Sequence, residues 1–362
     1  SIILSEHSRG SFSFGSFYKR RVRRILPALF LIIFACLPAA WLLMPPSSLE
    51  SFALSIISVV LFISNFWFFS QSGYFTIISE EMPLLHTWSL AVEEQFYIFF
   101  PIFLIFFLFL GKKWLLIASI CVFIFSLMIS QFGENLSTSY PFFDNKLKFS
   151  AIPSYAFFLA PTRFFELMVG FFCAYYLFYT KKVPSHDFLS FFGLSVLILC
   201  IIFYDNNTDF PGFMALIPVT ATALIILFCS DKSVIGRVLS NKILVFIGLI
   251  SYSTYLWHQP LFSFSRLAML NEPSNLFFIL LILTSFILAF ITYRLIESPF
   301  RKNLNIPMYG YFLTAILLIS LGFLGYYSEG FKSRFDELQL KDLIQLPILL
   351  SYLHHTCAIK NL

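Results

Sequence analysis

The sequence predicts an all-α protein, a polytopic transmembrane helical bundle of about nine to ten spans. Three observations lead there. Hydrophobic residues make up 59% of the 362-residue chain and charged residues 12%, against about 45–50% and about 25% in soluble domains. The mean hydropathy is +0.83. The apolar residues, including 50 Phe, fall into runs of membrane-spanning length without the period-2 alternation of a barrel strand.

In chain order the runs are 25–44, 52–70, 96–110, 114–131, 163–179, 188–204, 213–230, 244–264, 276–296 and 309–327. Each must be helical, because an open strand edge has no hydrogen-bond partners in lipid. The basic residues set the orientation. Lys19, Arg20, Arg21, Arg23 and Arg24 precede the first run, and Lys112/Lys113, Lys181/Lys182, the 232–242 segment and Arg301/Lys302 fall between later ones. All are expected on the cytoplasmic side, with 135–144 and 205–209 outside. Ten full crossings cannot satisfy this together. One run between 25 and 110 is expected not to cross fully, with 75–100 the suspect because it carries His86, Glu93 and Glu94. Nine crossings put the tail outside. The division expected is a membrane domain over 1–327 and a short extracytoplasmic tail over 328–362.

The basic cluster runs straight into an apolar stretch, which argues against a nucleic-acid arm. The six cysteines form no C-x-x-C pair and no zinc-type spacing with His, so no metal site is expected. The chain opens on Ser1-Ile2-Ile3-Leu4, which looks like the end of an earlier apolar segment.

Ionisable residues in apolar spans are expensive, and each is a candidate functional group. Four groups stand out. Around Arg20, Arg21, Arg23 and Arg24, residues three apart share a helix face, and guanidinium forks suit phosphate oxygens. A grip on donor phosphates and a plain topology signal are both open readings. In the stretch from Pro83 to Tyr97, His86, Glu93 and Tyr97 lie near one helix face, with Glu94 about 100° away. Acid/base chemistry and a structural polar pocket both fit. Arg163 and Glu166 can pair at i, i+3, as substrate contacts or as a helix-start pair. On the segment from Ile250 to Pro260, Ser251, Tyr255 and His258 share a face, where His258 either meets substrate or bonds a neighbouring helix. Arg294 and Glu297 are expected to pair at the interface.

Together the stretches FYKRRVRRILPAL, PLLHTWSLAVEEQFYIFFP, APTRFFELMVG, FPGFMALIP, IGLISYSTYLWHQPL and YRLIESPFRK resemble the acyltransferase family 3 membrane proteins, which include O-antigen and other surface-polysaccharide O-acetyltransferases. They occur in family order over nearly the whole chain. The resemblance implies a multi-pass protein of the bacterial inner membrane. It implies acetyl-CoA as a cytoplasmic acyl donor, no bound cofactor, and an extracytoplasmic or membrane-associated glycan acceptor such as lipopolysaccharide O-antigen. Arg21 and Arg24 match the family's Arg-x-x-Arg. Such proteins often continue into an SGNH-like domain, and the segment from Gly330 to Phe335 looks like the start of that connection. The family's first span, which carries an Arg and a His regarded as catalytic, has no counterpart here. The chain is therefore expected to be truncated both at its N-terminus and before the SGNH-like domain, and to be incomplete for catalysis.

The sites expected are His86, Glu93 and His258 for the chemistry. For substrate they are Arg20, Arg21, Arg23, Arg24, Glu94, Arg163, Glu166 and Tyr255. The rival reading is a glycan-lipid transporter or flippase without bond-forming chemistry; the paired broken helices that mark many transporters are not evident.

Overall fold

A computed structural model describes residues 2–72, 79–139, 153–181, 184–205, 208–231, 233–269, 273–302 and 307–334. Lys182, Lys232, part of the suspect 75–100 segment, half of the 135–144 loop and the tail beyond Arg334 lie outside them. Among the described residues the protein is all-helical.

The helices are α1 (Ile2–Ser8), α2 (Phe14–Leu43), α3 (Pro46–Val60), α4 (Ser64–Ser72), α5 (Thr87–Leu110), α6 (Lys112–Ser139), α7 (Pro153–Phe158) and α8 (Ala160–Thr180). They continue with α9 (Asp187–Phe203), α10 (Gly212–Phe228), α11 (Val234–Leu239), α12 (Lys242–Ala268), α13 (Asn275–Thr292), α14 (Ser298–Lys302) and α15 (Met308–Tyr327). Local chemistry marks many ends. The side chains of Ser13, Asn241 and Ser274 accept hydrogen bonds from the first-turn amides of α2, α12 and α13, filling orphan donors. Proline opens α3 and α8, where its missing N–H costs nothing.

Each of the ten apolar runs carries a helix, but the helices differ in length and apolarity. By length and composition, five helices among the described residues can cross a membrane: Phe14–Leu43, Thr87–Leu110, Lys112–Phe132, Asn275–Lys302 and Met308–Tyr327. Three more, Pro46–Val60, Asp187–Phe203 and Gly212–Phe228, are apolar but shorter. The 21-residue α8 and 27-residue α12 are long enough but more polar. In the suspect 75–100 segment the described residues before Thr87 form no helix beyond a 3-10 turn at Ser79–Glu81, and a second interruption lies upstream. The second run breaks into α3 and α4 at Phe62, which takes a left-handed backbone with φ 55°. The stretch from Thr87 to Leu110 is one continuous 24-residue helix.

The main core gathers around α2. Ala28, Leu29, Ile32 and Ile33 are fully buried there against Ile56 of α3, Leu256 of α12 and Leu318 of α15. α15 lies very close to α3: a Cβ on Gly322 would sit 2.8 Å from the Ala53 carbonyl oxygen, and one on Gly325 would sit 2.7 Å from the Ala53 Cβ. Small residues let membrane helices approach this closely, where dispersion rather than the hydrophobic effect holds them together. A second, aromatic core joins α1, α5, α6 and α8 through Leu4, Phe96, Leu104, Leu115, Met168 and Phe171. The outer surface is apolar: Phe109, Ile201 and Phe203 are largely exposed, a pattern that suits lipid and not water.

Candidate functional site

The first half of α5 is where the polar groups converge. Its carboxylates meet the head of α2. The Arg21 guanidinium sits 3.2 Å from Glu94 Oε1 and 3.4 Å from Glu93 Oε1, and lies over the Tyr97 ring at 3.1 Å from the centroid. Glu94 is buried, whereas the Glu93 side chain is 45% exposed. The Arg21–Glu94 pair is thus the desolvated one, and its removal would leave a buried charge uncompensated. Tyr18 of the same α2 face donates its phenol O–H to the Ile98 carbonyl, which fixes the register of the two helices.

The four arginines do not act as two stacked pairs. Arg20 is taken by Glu6 of α1 at 2.9 Å. Arg21 turns inward to α5. Arg23 is half-buried and faces Tyr311 of α15 electrostatically. Arg24 is exposed, within electrostatic reach of Glu94 and Glu297, and forms no ion pair among the described residues. One turn of α2 therefore sends its four guanidinium groups to different neighbours.

His86 stands just before α5 and does not share a contact with Glu93. Its ring is buried and packs edge-on against Tyr255, at 4.9 Å between centroids, and against His258, at 5.4 Å. Neither ring nitrogen of His86 has a well-formed hydrogen bond; the Pro83 backbone is its polar neighbour. The Tyr255 hydroxyl lies 2.8 Å from Ser89 Oγ and also donates to the His86 carbonyl. His258 Nδ1 sits 2.5 Å from the Tyr255 carbonyl oxygen. A carbonyl only accepts, so Nδ1 is the donor in this contact, and in the neutral imidazole Nε2 is the nitrogen left with the lone pair.

Arg163 and Glu166 do pair, at 3.0 Å. Three aromatic rings surround the guanidinium, Trp88, Phe157 and Phe210, at 5.2–5.6 Å. Trp88 is one residue before Ser89, so this pair borders the imidazole cluster through the first turn of α5. The expected Arg294–Glu297 pair does not form. The segment Tyr293–Glu297 is a π turn, and its wider winding takes i+3 off the shared face. Arg294 is exposed, while Glu297 is buried, accepts from Ser253 Oγ at 2.9 Å and has Arg301 at 3.9 Å. Ser251, expected beside Tyr255, is also exposed and bonds only its own helix at Gly248. Tyr252 and Ser253 are the inward neighbours instead.

Sequence reasoning missed a neutral clamp. Gln95 donates to the Phe62 carbonyl and to Asn65 Oδ1, both at 2.9 Å, and Asn65 donates to the Phe158 carbonyl at 3.2 Å. Ser64 Oγ donates to the Thr87 carbonyl at 3.0 Å. These bonds stitch the α3–α4 break to α5. The signal was present as Ser64-Asn65 in the middle of an apolar run.

Comparison with known proteins bears on this arrangement. The protein named "Putative peptidoglycan O-acetyltransferase YrhL" of Bacillus subtilis (strain 168) is 33% identical over 320 residues, covering 84% of this chain and 48% of its own length. "O-acetyltransferase OatA" of Staphylococcus aureus (strain NCTC 8325 / PS 47) is 32% identical over 318 residues, covering 84% of this chain and 50% of its own. The chain thus spans about half the length of the curated relatives it matches. No solved structure matches it. A family model described as "Acyltransferase domain" matches residues 7–294, which takes in the head of α2, all of α5 and α12: the chain belongs to acyltransferase family 3.

Proposed function

We propose that the protein is a membrane O-acetyltransferase that moves an acetyl group from cytoplasmic acetyl-CoA to a hydroxyl of a surface glycan. The observation that carries this reading is a polar track through an otherwise apolar bundle. It starts at exposed Arg24, passes Arg21 with Glu93 and Glu94, and reaches Ser89, Tyr255, His258 and His86. Lipopolysaccharide O-antigen, expected from the sequence, is one such acceptor; peptidoglycan, in the printed name of the Bacillus relative, is the other.

In this reading Arg24 and Arg20 meet the donor phosphates from the cytoplasmic side. Arg24 takes the larger share because Arg20 is already paired. Glu93, Glu94 and Tyr97 hold Arg21 in place, and Arg23 adds positive charge. His258 Nε2 accepts the proton of the glycan hydroxyl as its oxygen attacks the thioester carbonyl. The C–S bond breaks, the sulfur leaves as thiolate, and the imidazolium returns the proton to it. Burying His86 edge-on beside His258 keeps water away from the base. Arg163 and Glu166 order the wall behind Trp88.

The test is acetyl transfer in membrane vesicles carrying the protein, with radiolabelled acetyl-CoA outside the cytoplasmic face and each of the two glycans as acceptor. Label on the glycan, lost in His258→Ala at unchanged folded protein, is the expected result. Glycan crossing the membrane without label would make the protein a transporter and overturn the reading.

A further inference from the structure

Opposite the arginines, at the far ends of α2 and α12, a cavity of ≈ 260 Å³ opens between α3, α4 and the segment before α5. It falls just below the roughly 300–1,000 Å³ range of drug-sized ligand pockets, a size for a single small unit. From Arg21 to Met44, which lines it, α2 rises roughly 35 Å at 1.5 Å per residue, more than the roughly 30 Å of a bilayer's hydrocarbon core.

The lining mixes hydroxyl, amide, carboxyl and indole groups with apolar side chains. Ser47, Ser48, Ser51, Gln71, Glu81 and Trp67 all face it. Deeper in α3, Ser55 and Ser58 donate to carbonyls of their own helix, at 2.6 and 2.8 Å, as helical serines commonly do. No such bond from Ser47, Ser48 or Ser51 occurs among the described residues. The Trp67 indole N–H is shielded and has no hydrogen-bond partner among the described residues, which is costly unless something supplies one. Two cations border it and both are engaged: Arg266 is paired with Glu80 at 3.0 Å and Arg334 donates to the Met44 carbonyl at 3.1 Å, while Glu81 adds a carboxyl that a phosphate would avoid. Burial pushes the Glu81 carboxyl up from its usual value, with Arg266 pulling it back. Uncommitted hydroxyls, an amide, a carboxyl and an indole beside apolar rings describe a lining for a neutral polyol.

The cavity shares a wall with the imidazole cluster. Gln259, next to His258, donates to the Met82 carbonyl at 3.2 Å, and Ser263 donates to the Glu81 carbonyl at 2.5 Å. Leu84 lines the cavity two residues before His86. We propose that this cavity is the acceptor subsite, taking a neutral sugar unit of a glycan that reaches the end of the bundle opposite the arginines. The assignment rests on the transferase reading for its role, and on its own lining for its ligand class.

The experiment measures binding without acyl donor. The full chain in detergent is titrated calorimetrically with the β-1,4-linked tetramer of N-acetylglucosamine, with a glucose tetramer and with glycerol phosphate. Saturable binding of a tetramer is expected. Ser51→Leu, which fills the cavity, and Trp67→Phe, which removes the indole N–H together with part of the ring, each weaken it about three- to tenfold, the scale of one hydrogen bond. Thermal midpoints of both variants confirm the fold. No saturable tetramer binding to folded protein overturns the proposal, as does binding indifferent to both variants. Glycerol phosphate binding in place of the sugars makes the cavity a lipid-headgroup site and overturns it too. Because no acetyl group is read, failure of the transferase reading would leave sugar binding standing. Intact glycan acetylation with no sugar bound here would remove the subsite alone.

Discussion

Two polar clusters on α5 lie within a few residues of each other and are built on opposite plans. Gln95 faces Asn65 in a closed neutral clamp, where the amides satisfy one another and two backbone carbonyls. Glu93 and Glu94 face Arg21 in a charged cluster that remains partly open, with Glu93 nearly half exposed and Arg24 exposed beside it. A neutral network with its valences filled serves the fold. A charged one with a free edge can still accept a ligand.

The effect that separates the two most cleanly, stability lost with activity kept, belongs to the clamp. Gln95→Leu leaves the Phe62 carbonyl and Asn65 without their partner. The loss expected is about 2–3 kcal/mol from unsatisfied buried groups, read as a lower thermal midpoint and lower yield of folded protein in detergent. Activity per folded molecule is expected to survive. A variant that folds normally but cannot acetylate would move Gln95 out of the structural cluster.

Within the charged cluster the two carboxylates should differ. Breaking a buried pair costs about 3–5 kcal/mol, whereas an exposed pair contributes about 0–1 kcal/mol. Glu94→Gln is therefore expected to cut acetyl transfer and destabilise the protein strongly, and Glu93→Gln to do so mildly. Equal losses in both, measured as acetylated glycan per folded molecule, would show that burial does not rank them.

A smaller effect distinguishes the arginines. Arg24→Ala should raise the KM for acetyl-CoA about tenfold, the scale of one charge-assisted hydrogen bond, while Arg20→Ala, whose charge is spent on Glu6, should raise it far less. Arg24→Lys should rescue in part, because an ammonium lacks the guanidinium fork. The reverse ranking would put the donor on the α1 side. The smallest effect is Ser251→Ala, expected within about 0.5 kcal/mol of wild type in stability and unchanged in turnover.

These contrasts also mark what the sequence made legible. Helices were readable because lipid demands length and apolarity, and both are local. The Arg163–Glu166 pair was readable because its partners are one turn apart. Arg21 and the two glutamates are more than seventy residues apart, and only packing of α2 on α5 brings them together. Residue types flagged them; no spacing rule could join them. His86 and Glu93 looked like one pocket on a helical wheel, yet His86 precedes the helix and turns to α12. The break at Phe62 escaped because its partners, Asn65 and Gln95, act through tertiary bonds across α4 and α5. The Arg294–Glu297 pair failed because a π turn cannot be seen in a 3.6-residue count.

Arg334 reaches back from beyond α15 to the carbonyls of Trp41 and Met44, over the Trp41 ring at 4.3 Å, and Gly330, with φ 63°, lies against Pro46 where no Cβ would fit. The last described turn is thus pinned to the end of α2, beside the cavity that Met44 lines. Whatever follows Arg334 leaves from that anchorage and not from the free end of α15. The anchorage works like a clasp: it fastens the close of α15 to the close of α2 at the cavity's rim.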